Sequence, residues 1–140
     1  MIKMFIGLLL LISTSSANIL NNYDFSLVTN TNERFTITTS ELAHIYSGKI
    51  KRWANNQRIK IFVRNFDDYD QKILVREILG LSIITFREKI LANKDIIIVN
   101  SNTEMGRLLN NTPGSIGILN NGYIAMYVNG KLNILKVIEG

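Results

Sequence analysis

The sequence predicts an α/β domain, a mixed β-sheet flanked by helices, and three observations carry that expectation. Short β-branched or aromatic runs alternate with stretches of helical periodicity in the order strand, helix, strand, helix, helix, strand, helix. The helical stretches are bracketed by start and stop residues rather than marked by composition alone. The chain then ends in a cluster of short strand-like runs set apart by turn dipeptides.

Taken in order, Tyr23 to Val28 (YDFSLV) has the aromatic and β-branched character of a strand, and the polar run Thr29 to Arg34 reads as a loop. Thr38 with Glu41 three residues on is a capping-box pattern; Leu42, Ile45 and Tyr46 share a helical face, and Gly48 can take the left-handed stop, so a helix is expected from about Thr39 to Ser47. Ile59 to Val63 (IKIFV) is a mostly apolar strand, hence interior, with Arg64 at its C-terminal end. Asp67, Asp68 and Asp70 open a second helix that runs to about Leu79, with Ile73, Leu74 and Ile78 as its apolar face and Gly80 closing it. Ser82 or Thr85 starts a third helix, to about Leu91.

Asp95 to Val99 (DIIIV) reads as a strand, and Ser101 with Glu104 repeats the capping box before a helix carrying Met105, Leu108 and Leu109. Pro113-Gly114 turns the chain into Ile116 to Leu119. Asn121-Gly122 and Asn129-Gly130 are hairpin-type dipeptides that set off Tyr123 to Val128 and Leu132 to Val137 as two further strands.

The N-terminus reads differently. Lys3 precedes the apolar run Met4 to Ile12, and Ser15-Ser16-Ala17 offers small residues at a cleavage point, the pattern of a secretory signal peptide cut after Ala17. About 20 apolar residues are needed to span a bilayer, and this run is too short before Ser13 interrupts it, so no transmembrane segment is expected in the mature chain. Residues 1–17 are thus expected to be a signal peptide and residues 18–140 one domain, of a protein that is periplasmic or otherwise exported.

Composition removes several chemistries. The chain has no Cys and one His, His44, which rules out a disulfide framework, a thiolate nucleophile and a multi-histidine metal site. Ser40, Ser47, Ser82 and Ser101 fall at helix ends, where capping accounts for them, and no nucleophile elbow surrounds Ser115. No P-loop or dinucleotide fingerprint is present, and no catalytic residue, cofactor or metal is expected. From Lys49 to Arg64 there are six positive residues and no acid, with Trp53 and Phe62 interleaved. The net charge of +5 is modest, and nucleic acid is not expected as a partner; a solvated basic face, anionic lipid headgroups or an acidic partner remain.

Three stretches, Glu41 to Trp53 (ELAHIYSGKIKRW), the strand ending in Val63-Arg64, and Pro113 to Ile118 (PGSIGI), together resemble the substrate-binding proteins of phosphate ABC transporters, a PstS-like branch of the periplasmic binding protein superfamily. The resemblance implies a fold of the periplasmic-binding-protein type. Full members have two lobes that close on phosphate, so a domain of this length is expected to hold one. It also implies that Arg64 stands at the family's arginine, and that Asp68, Tyr69 and Asp70 occupy the positions of its Ser, Gly and Thr. These four are the candidate ligand-binding residues, with the amides of Tyr69, Asp70 and Gln71, for a small anion such as phosphate.

The residue chemistry cuts against the anion. Two hydroxyl donors become two carboxylates, which at neutral pH only accept hydrogen bonds. The same aspartates at a helix start satisfy orphan amides, so the chain's own carboxylates can stand where an anion would, with Arg64 pairing Asp68 or Asp70. A cation held by Asp67, Asp68 and Asp70 is a third option, though the calcium-loop spacing is absent. The alternative function is therefore a ligand-free interaction module of the cell envelope, docking on an envelope protein or on a second copy.

Overall fold

The computed structural model describes residues 19–32, 36–127 and 130–139, so the expected signal peptide, residues 1–17, lies outside the described residues. After a 3-10 turn at Ile19–Asn22 come β1 (Phe25–Thr29), β2 (Thr36–Thr38) and α1 (Thr39–Tyr46). Next are β3 (Lys60–Arg64) and α2 (Tyr69–Ile73), which widens into a π turn at Leu74–Ile78. The chain continues through α3 (Ile83–Ala92), β4 (Ile96–Val99), α4 (Asn102–Asn111), β5 (Ser115–Asn120) and α5 (Asn121–Ile124), the last followed by a 3-10 turn at Ala125–Tyr127. It closes with β6 (Asn133–Ile134) and β7 (Lys136–Ile138).

Five strands form a mixed sheet in the order β4-β3-β5-β1-β6. β3 is parallel to both β4 and β5, whereas β1 is antiparallel to β5 and β6. β2 and β7 pair parallel as a separate two-stranded unit. The expected α/β class with a mixed sheet is what forms.

Strand alternation sorts the core into two layers. Phe25 and Leu27 of β1, Ile61 and Val63 of β3, and Ile116 and Ile118 of β5 face one side, where Leu42, Ile45 and Tyr46 of α1, Leu74, Val75 and Ile78, and Phe86 and Ile90 of α3 cover them. Val28, Phe62, Val99 and Leu119 face the other side and meet Met105 and Leu109 of α4. Each such buried aliphatic or aromatic side chain contributes roughly 1.5–3 kcal/mol against exposure. The capping box at α1 is complete: Thr38 Oγ1 accepts from the Glu41 amide and the Glu41 carboxylate accepts from Thr38 N–H. Gly117 leaves room for α4, since a Cβ there would stand 3.0 Å from Met105 Sδ and from the Phe62 carbonyl oxygen.

Several expectations are corrected. Tyr123 to Val128 is not a strand: Tyr123 to Tyr127 lie in α5 and the 3-10 turn after it, while Val128 and Asn129 fall outside the described residues. The cause is Asn120, whose side chain caps the helix by accepting from Gly122 N–H at 3.0 Å, so Asn121-Gly122 opens a helix instead of a hairpin. Leu132 to Val137 divides at Leu135 into β6 and β7, which join different sheets, because Leu135 N–H donates to the Leu27 carbonyl and its side chain enters the core. β2 spans three residues, Thr36–Thr38, too short for a strand period to announce it. The Asp95–Val99 strand forms from Ile96, but at the sheet edge, leaving Ile97 and Ile98 exposed.

Candidate functional site

Successive crossovers run in opposite directions along the sheet: from β3 through α2 and α3 to β4 on one side of β3, then from β4 through α4 to β5 on its other side. The C-terminal ends of β3 and β5 lie where the chain reverses its direction across the sheet, the position at which open α/β sheets hold ligands. Arg64 ends β3, Asp68 to Gln71 start α2, Asn100 follows β4 and Asn120 ends β5.

The turn into α2 is built locally. Asn65 accepts from the Asp67 amide through its side chain (3.2 Å) and from the Asp68 amide through its carbonyl (3.1 Å). Asp68 is the N-cap, one carboxylate oxygen accepting from Gln71 N–H at 2.9 Å. Its other oxygen lies 3.4 Å from Arg64 Nη1, with both side chains largely enclosed. Arg64 Nη2 donates to the Asn100 carbonyl at 3.3 Å. Gln71 is buried, and its Oε1 accepts from the Arg64 amide at 2.9 Å, tying the helix start to the strand end. Arg64 Nε and Gln71 Nε2 are buried without a partner among the described residues.

Asp70 accepts from Asn120 Nδ2 at 3.4 Å. Partial burial pushes its carboxyl above the usual range; the negative charges of Asp68 and Asp24 add to this, while the Asn120 bond and Arg64 oppose it. Of the residues singled out from sequence, then, the fold brings Arg64, Asp68 and Asp70 to one place and chooses Asp68 as the arginine's partner. Tyr69 projects its side chain into solvent, 73% exposed, and leaves only its backbone at the helix start. Asp67 and His44 are exposed as well. Among the described residues no group of three or more His, Asp or Glu side chains could hold a metal ion.

Sequence reasoning missed the Gln71 side chain, Asn100 and Asn120. Asn100 acts through its carbonyl, which carries no side-chain signal, and Asn120 reaches Asp70 only because β5 lies beside β3. Asn120 did have one visible mark, a capping residue directly before Asn-Gly.

Solved structures share this backbone. A phosphate ABC transporter substrate-binding protein from Clostridium perfringens, solved with bound phosphate, superposes with a TM-score of 0.65 at 20% identity, over 81% of this chain and 44% of its own. The fold is that of one lobe of these receptors. PstS from Borrelia burgdorferi matches at 28% identity and TM-score 0.65, over 81% of this chain and 47% of that one. An ABC-type phosphate transport receptor from Vibrio cholerae matches at 20% identity and TM-score 0.62, over 81% and 46%. The PstS-like resemblance read in three sequence stretches is thus matched by the backbone, and this chain spans less than half the length of each of these structures. No protein-family model and no curated protein matches the sequence. Among the described residues no helix is long and apolar enough to cross a membrane.

Proposed function

We propose that this protein is an exported, non-enzymatic binding module of the PstS-like fold, residues 18–140 forming one domain, in which the anion pocket is neutralised from within. Its partner is then an envelope protein or a second copy of itself instead of phosphate. One observation carries the reading: Asp68, which the resemblance would set at the position of a hydroxyl donor, caps α2 and faces Arg64 at 3.4 Å, occupying the arginine that an oxyanion would need. A phosphate about 4 Å from such a carboxylate meets a repulsion of roughly 1–4 kcal/mol, and Asp70 adds a second. Export is supported by Lys3, the Met4 to Ile12 run and Ala17, a signal-peptide pattern.

A second reading, a solute-binding module for a small anion such as phosphate, is favoured by the two buried donors without partners among the described residues, Arg64 Nε and Gln71 Nε2. An oxyanion that displaced the Asp68 carboxylate would supply the acceptors they lack. Calorimetry with inorganic phosphate separates the two. Absence of micromolar binding in the native protein, with binding gained by Asp68→Ser combined with Asp70→Thr, supports neutralisation. Micromolar binding in the native protein, abolished by Arg64→Ala, supports the receptor reading and overturns the first.

A further inference from the structure

The opposite end of the domain has a different character, and its chemistry is the same under either reading of the Arg64 site. Between residues 49 and 64 the fold places Arg64 at the C-terminal end of β3 and keeps Lys49, Lys51, Arg52, Arg58 and Lys60 at the end where β3 begins. β4 runs parallel to β3, so it begins at the same end and brings Lys94 there. Lys51, Arg58 and Lys94 line one concavity of about 310 Å³, with Gly48 and Asn93 between them. Its one acid, Asp95, is buried and already gripped by Arg58, Nε to Oδ1 at 3.1 Å and Nη2 to Oδ2 at 2.9 Å. Lys51 and Lys94 make no ion pair among the described residues.

The patch stands on a fixed support. Ile59 N–H donates to the Lys51 carbonyl (2.9 Å), Trp53 N–H to the Gln57 carbonyl (2.9 Å) and Arg52 Nη1 to the Asn56 carbonyl (3.0 Å). Trp53 Nε1 pins this hairpin to the core through the Gly114 carbonyl at 2.9 Å. Beside the patch, at the end of α3 that leads to Asn93 and Lys94, Leu91 is 82% exposed.

We propose that this end of the molecule docks on a membrane surface rich in anionic lipid, with Lys49, Lys51, Arg52 and Lys94 over headgroup phosphates and Leu91 entering the interface. Cations near such a surface are drawn to its negative potential, and an exposed leucine next to them in the chain gains a continuous apolar phase that needs no matching pocket and that a dissolved polyanion does not offer. Leu91 is what favours lipid over other anions. Each cation lost should weaken binding roughly fivefold.

The test is co-sedimentation of the full chain with vesicles of phosphatidylglycerol in phosphatidylcholine, at low and at physiological salt. Binding to these vesicles and not to pure phosphatidylcholine, weakened by salt, is expected. Lys51→Glu with Lys94→Glu should lower it at least tenfold, with Lys51→Gln and Lys94→Gln as a milder pair if the first melts early. Arg107→Glu with Lys136→Glu, an equal charge change at exposed sites elsewhere, should leave most of the binding. Leu91→Ser should weaken it severalfold without altering the salt response. Failure to bind, equal binding to neutral vesicles, or an equal loss in the Arg107 and Lys136 pair would overturn the proposal. So would retention on heparin that depends on the same lysines while Leu91→Ser changes nothing.

Discussion

Removing the Asp68 carboxylate tests the internal neutralisation most directly, because two separate contacts depend on it. In Asp68→Ala the Gln71 amide loses its cap at 2.9 Å, a loss of about 1 kcal/mol. Arg64 loses its carboxylate partner at 3.4 Å, and its guanidinium, whose side chain is only 11% exposed, keeps the Asn100 carbonyl alone. Stranding an enclosed donor group in this way costs roughly 1–3 kcal/mol. The sum is about 2–4 kcal/mol, which for a domain of this size lowers Tm by roughly 8–16 °C. Urea unfolding of native, Asp68→Ala and Asp68→Asn proteins, with the slope m held constant, reads it out. Asn can still cap, so Asp68→Asn should show only the arginine's share. If Asp68→Ala stays within about 0.5 kcal/mol of the native protein, the range of an ordinary surface substitution, Asp68 does not satisfy Arg64 and the case for a neutralised pocket fails.

Three other outcomes are expected. Asp70 has a folded-state pKa raised above its unfolded value, so its ionised form opposes folding at neutral pH, and that cost is relieved as pH falls through the raised pKa towards the unfolded one. Asp70→Asn should therefore be neutral or stabilising at pH 7 and should flatten the dependence of stability on pH in the mildly acidic range, as followed by thermal melts. Gly114 has a φ of +79°, and a Cβ there would stand 2.4 Å from the Arg58 carbonyl oxygen; Gly114→Ala should cost roughly 3 kcal/mol or more, seen as a lower urea midpoint. Trp53→Phe deprives the Gly114 carbonyl of its indole donor and should cost about 1–2 kcal/mol in the same assay.

What could be read from the sequence was what neighbouring residues decide among themselves. The α1 start is legible because Thr38 and Glu41 satisfy each other within three residues, and its end because Gly48 takes a φ of +82°. The interior strand at Ile61 to Val63 is legible because a strand with neighbours on both sides loses its polar alternation. Tyr123 to Tyr127 misled because its aromatic and β-branched content favours a strand, whereas Asn120, held in place by β5, caps a helix there. The site divides the same way. Arg64 and the aspartates could be named from the resemblance, but the choice of Asp68 over Asp70 as partner appears only in the folded chain, where Asp70 is claimed instead by Asn120 from a distant strand.

The parallel pair β2 and β7 joins the 36–38 segment to the 136–138 segment, so nearly the whole described chain lies in the loop it closes. The pairing covers three residues and β2 has no second strand beside it among the described residues, so this short joint opens more readily than the five-stranded sheet. Thr38 ends β2 and also caps α1. Opening of that two-stranded joint therefore frees the first turn of α1 as well, and the amides of Ile37 and Glu41 should exchange with solvent as one cooperative unit while the five-stranded sheet stays closed.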